Sequence, residues 1–145
     1  MQVTGKNKIL RRAGTLALGA AMAVGLVTVP ASSAVAEPAG CSHDVYFWTT
    51  YSYTKNGTAY YLMHTDSVGS CTTSAYRTLR VEIKADGWPT DPLVAANSSS
   101  GTGTSYYAHV QSCDKENYKS YFGRAFFTQS PTYRDSSPRA VRTCY

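Results

Sequence analysis

The chain has 145 residues, 43% of them hydrophobic and 12% aromatic, and a formal charge of +5. Four of its 14 Lys and Arg and none of its nine Asp and Glu lie in residues 1–36. Residues 37–145 therefore set ten bases against nine acids, a formal charge of +1 that excludes a global field for nucleic acid or an anionic membrane, and they are enough for one small domain of marginal stability.

Residues 1–36 read as a signal peptide. Lys6, Lys8, Arg11 and Arg12 form a basic n-region, and residues 13–29 form an apolar stretch rich in Ala, Gly, Leu and Val that Pro30 closes. That stretch sits at or below the roughly 17–25 strongly apolar residues a spanning helix needs, so a retained span is the weaker reading. Ala34 and Ala36 flank Val35 in the A-x-A form that signal peptidase reads, which places the cut before Glu37. Arg11-Arg12 has the form of a twin-arginine signal with poorly matching flanks, so the general export route is favoured. The Ala-rich core resembles leaders of high-GC Gram-positive bacteria. Ala39-Gly40-Cys41 also resembles the tail of a bacterial lipobox, whose cysteine is acylated. Pro38 in the usual Leu position argues against it, as does the odd thiol that acylation would leave among Cys71, Cys113 and Cys144. The expectation is a secreted, extracellular protein with no membrane attachment after cleavage.

The first predicted elements form a hairpin. "DVYFWTTYSY" and "TAYYLMH" are β-rich runs on either side of "KNG", and Asn-Gly is a strong hairpin-turn signal. A three-residue loop of Lys55, Asn56 and Gly57 makes facing residue numbers sum to 112. That register puts Phe47, Thr49, Tyr51 and Tyr53 on one face with Ala59, Tyr61 and Met63, and Tyr46, Trp48 and Thr50 on the other with Tyr60, Leu62 and His64. A bulge at residues 67–70 would spoil it. "TLRVEIKAD" follows, alternating Leu79, Val81 and Ile83 against Arg80, Glu82 and Lys84, as a strand with one wet face does. "GWPTDP" (87–92) breaks the ladder, and "NSSSGTGTS" (97–105) has the composition of a flexible loop. Two more strands are expected at 104–113 and 119–129, and a short last one at 139–144. The predicted fold is all-β, a small antiparallel sandwich or barrel of five to seven strands.

Four cysteines in an exported chain predict two disulfides. Zinc is the rival, but no C-x-x-C or H-x3-H pair occurs, and no metal or cofactor is expected. Three pairings are open. The hairpin register favours Cys41–Cys71 with Cys113–Cys144, and the nested alternative is Cys41–Cys144 with Cys71–Cys113.

All 12 tyrosines, four Phe and two Trp follow the leader. Both faces of the first hairpin are aromatic although only one can line a thin core, so rings on the other suit sugars or protein surfaces. The candidate binding rings are Tyr51, Tyr53, Tyr61, Trp88, Tyr106 and Tyr107. The bland alternative is that Tyr is simply a good strand former. His43-Asp44 and His64-Thr65-Asp66 put carboxylates near imidazoles, but no H-E-x-x-H, G-x-S-x-G, P-loop or dinucleotide motif is present, and no catalytic residue stands out. Arg134, Arg139 and Arg142, offset by Asp135, read as a solvated tail strand ahead of an anion site. Three functions are weighed. The first is a non-catalytic module contacting cell-wall polysaccharide or an extracellular protein through aromatic strand faces. The second is an inhibitor or toxin acting through the Trp88 loop at 87–92. The third is a small hydrolase using His64, Asp66 and His109.

Overall fold

Asn56 and Gly57 adopt φ of 50° and 76°, the left-handed pair that a tight hairpin turn requires. They join β1 (Cys41–Lys55) to β2 (Thr58–Ala85), with Lys55 opposite Thr58. The turn therefore holds two residues, not three. The register nevertheless has the expected sum from Cys41↔Cys71 to Tyr51↔Tyr61, because a bulge between Tyr51 and Tyr53 absorbs the difference. No bulge interrupts this pairing at residues 67–70.

The structure is a computed structural model that describes residues 37–145 apart from 88, 117 and 131. The expected leader, its cleavage signal and Trp88 lie outside the described residues. The rest of the sheet comprises β3 (Leu93–Ser112), β4 (Tyr118–Phe127), β5 (Arg134–Asp135) and β6 (Arg139–Arg142). No helix occurs among the described residues, and none is long and apolar enough to cross a membrane. All six strands belong to one antiparallel sheet.

At 28 residues, β2 is far longer than an ordinary strand of roughly 3–10 residues, and it bends. Its first half pairs with β1 and its last turn of sequence, Leu79–Ala85, with β4, while β3 follows the opposite edge along both halves. The β2–β3 register breaks between Ser70 and Ala75. There the ribbon curls until its two halves face each other. Asn97 Nδ2 donates to His109 O at 2.8 Å although both belong to β3. The inner faces touch where side chains are absent: a Cβ on Gly69 would lie 2.7 Å from Phe127 Cζ, and one on Gly123 2.7 Å from Thr65 Cγ2. Met63, Leu79, Val81, Ile83, Tyr121 and Phe127 fill the space between the halves.

Residues 97–105, expected as a flexible loop, are paired strand, from Asn97↔Val81 to Gly103↔Ala75. Ladder bonds depend on the backbone, so the alternating partner in β2 holds a Ser/Gly/Thr segment whose own side chains bury little. The 87–92 segment is the β2–β3 connection, tied by Ala85 N to Pro92 O (3.0 Å) and Gly87 N to Asp91 Oδ1 (3.3 Å).

Disulfides join Cys41 to Cys71 and Cys113 to Cys144, with no free cysteine. They close loops of 30 and 31 residues, each worth about 3–4 kcal/mol in the chain-entropy model. The second draws the tail back beside the hairpin, where Thr143 bridges Tyr61 in parallel and Cys144 N donates to Tyr61 O at 2.9 Å.

Candidate binding face

Alternation along three adjacent strands builds the site. Phe47 of β1, Thr65 of β2 and Ala108 of β3 point into the core, so their neighbours point out. The register sets Tyr46, Asp66 and His109 in one outward cross-strand row, Trp48, His64 and Gln111 in the next, and Asp44, Val68 and Tyr107 on the other side.

Asp66 is the centre of this face. Its carboxylate accepts from Trp48 Nε1 (2.5 Å), Tyr107 OH (2.9 Å) and His109 Nδ1 (2.6 Å). Partial burial pushes the carboxyl up, but the donors from Trp48, His109 and Tyr107 outweigh it and hold the group below the usual carboxylate range. The bond to Asp66 in turn raises the Tyr107 phenol. The Trp48 ring lies flat on His64, with centroids 4.0 Å apart and planes 8° apart. His64 is thereby buried on a face that otherwise meets water, and burial followed by the charge of His109 lowers its pKa. With its N–H engaged and one face covered, Trp48 is held in a fixed orientation and is still 39% exposed.

A second ring cluster occupies the hairpin end. The bulge after Tyr51 moves Tyr53 off the face expected for it and onto that of Tyr60. The two rings stack at 4.9 Å, and Tyr145 meets both edge-on at 6.3 and 5.9 Å. Lys55 Nζ donates to Tyr145 OH at 2.6 Å. Tyr60 has the same strand parity as Leu62, His64 and Asp66, so both clusters share one sheet face.

The six candidate rings thus scatter. Tyr107 lies on the Asp66 face and Tyr53 in the hairpin-end cluster. Tyr51, exposed, and Tyr61, packed against the core, meet edge-on at 6.5 Å on the opposite side of the hairpin. Tyr106 is a core ring, 6% exposed, with its hydroxyl 2.6 Å from both Ala75 O and Gly103 O. Trp88 lies outside the described residues. Tyr46, Trp48, Tyr60 and Tyr145 were not among the candidates. Alternation alone puts Tyr46 and Trp48 on one face, but their partners on β3 depend on a pairing hidden by the Ser/Gly composition of residues 97–105.

The three residues of the hydrolase reading do meet, His109 on Asp66 and the His64 and His109 rings 5.5 Å apart. They do not form a relay. The hydroxyl of Thr50 lies on His64 Nε2 (2.9 Å), whereas His64 Nδ1 has no partner and Asp66 serves His109 instead. His43 and Asp44 point to opposite faces; His43 is a core residue whose Nε2 lies 2.9 Å from Ala125 O. Among the described residues no group of His, Cys, Asp and Glu is arranged to hold a metal ion. No protein-family model matches the chain, and no curated protein matches it significantly.

Proposed function

We propose that the chain is exported, cut before Glu37, and acts outside the cell as a non-catalytic module that binds cell-wall polysaccharide on the Trp48 face. The single observation that carries the reading is the immobilised indole, held by His64 beneath and Asp66 at its edge and still exposed. A ring fixed before binding loses little side-chain freedom when a ligand stacks on it. The surroundings favour a sugar over a protein partner. Flat rings alternate with Asp66, His109 and Gln111, which suit the hydroxyls at a pyranose edge, whereas the centre of a protein interface is depleted in charge. Two disulfides fit an oxidising, extracellular compartment.

Titration with a panel of wall polysaccharides tests this. Wild-type protein is expected to bind at least one saturably with a change in Trp fluorescence, and a folded Trp48→Ala variant to lose that binding. Unchanged fluorescence across the panel, or full binding by Trp48→Ala, defeats the reading. The His109–Asp66 pair favours the hydrolase as a second reading. Release of new reducing ends, abolished by His109→Ala, would put it first.

A further inference from the structure

We infer that the ligand is a linear, uncharged polysaccharide lying along the β1–β2 hairpin, with Tyr53, Tyr60 and Tyr145 forming a second subsite. This rests on the binding reading for Trp48 and extends it from one ring to a chain.

Three observations carry it. The first is alignment. Trp48 stacks on His64 and Tyr53 stacks on Tyr60, and His64 and Tyr60 are four residues apart on the same face of β2. At the rise of a strand that is about 13 Å, a distance one hexose cannot span and a short oligosaccharide can. Between them stand Thr50 and Leu62, a directly opposed outward pair without a ring, so the floor between the two platforms is low.

The second observation is rigidity without a packing role. Tyr145 is 57% exposed, yet it is held by Lys55 at its hydroxyl, by the rings of Tyr53 and Tyr60, and through its neighbour Cys144 by a disulfide and a backbone bond to Tyr61. None of Tyr53, Tyr60 and Tyr145 belongs to the buried core. Ordering side chains at the surface costs free energy that core burial does not return here, and a stacking platform is what such ordering provides.

The third is charge. Asp44 and Asp66 lie towards one end of the track and Lys55 at the other, so no single-sign field runs along it. A polyanion would meet the two carboxylates and a polycation the lysine. An uncharged chain meets neither penalty.

Calorimetric titration with β-1,4-linked glucose and N-acetylglucosamine oligomers, from disaccharide to hexasaccharide, tests this. Affinity for the oligomer that binds is expected to rise with length. Tyr60→Ala is expected to lower hexasaccharide affinity about threefold to tenfold and leave the disaccharide unchanged, whereas Trp48→Ala weakens every length. Tyr145→Ala, at an exposed last residue, provides the same readout should Tyr60→Ala fail to fold. Length-independent affinity in the wild type overturns the second subsite while leaving the Trp48 platform standing. So does a folded Tyr60→Ala or Tyr145→Ala variant with full hexasaccharide affinity, or one that weakens disaccharide and hexasaccharide alike. Failure of the wild type to bind either oligomer series overturns the uncharged linear ligand, while the Trp48 platform stands or falls with the polysaccharide panel.

Discussion

Asp66 and His64 show how much chemistry two outward positions of one strand can hold. The carboxylate is the common acceptor that fixes Trp48, Tyr107 and His109, and Asp66→Asn is expected to cost about 1–2 kcal/mol and release the indole, read as a lower urea midpoint with a shifted Trp emission. His64 makes stability depend on pH. In the unfolded chain its imidazole takes a proton near pH 6.5. Burial and then His109 lower that value in the fold. Its contribution is therefore complete above about pH 6.5 and is lost as the pH falls from there through the lower folded value, because the unfolded chain is protonated first. Asp66 adds a second loss lower down: its folded pKa is depressed, so its contribution persists above about pH 3.9 and disappears as the pH falls below it. Urea midpoints measured between about pH 7.5 and pH 5.5 are expected to fall in the wild type and to fall less in His64→Gln. The placing of His64 and Asp66 on one face was legible from their i, i+2 spacing. Their partners Trp48, Tyr107 and His109 come from other strands and needed the register.

The hairpin shows why a register can be legible when its turn is not. Asn56-Gly57 marked the turn and the facing residues summed correctly through Tyr51, but a two-residue turn with a bulge at Ser52 and a three-residue turn without one give the same pairing beyond the bulge. They differ only between Ser52 and the turn, and where Tyr53 points there decides whether a second ring cluster exists. Strand β3 was half legible: residues 104–113 carry the expected alternation, while the Ser/Gly/Thr run before them is strand only because β2 supplies a partner. The meeting of the two halves had no local signature. Gly123 faces Thr65, which is fully buried and cannot move aside, so Gly123→Ala is expected to destabilise by about 1–3 kcal/mol, measured by urea unfolding.

For the molecule as a whole, the core is modest and the covalent ties matter accordingly. The Cys113–Cys144 bridge anchors the tail that carries Thr143 and Tyr145 against the hairpin. Replacing both cysteines by serine is expected to cost about 3–4 kcal/mol and to loosen the ring cluster together with the tail, seen as a lower thermal midpoint and altered near-ultraviolet dichroism. The proposed export is checked on secreted material by intact mass, which is expected to begin at Glu37, to lack four hydrogens relative to the reduced chain, and to carry no diacylglycerol. The candidate face is formed by three strands whose mutual pairing no local pattern discloses, so composition announced its rings without locating them.

The most direct measurement is the pair of indole N–H resonances of the two tryptophans, followed during addition of a wall polysaccharide fragment. The expected result is a Trp48 N–H protected from solvent exchange in the free protein by its bond to Asp66, and shifted saturably as the fragment is added. A Trp48 N–H that exchanges as fast as a free indole, or that stays in place while the fragment binds elsewhere, would contradict a platform at this face.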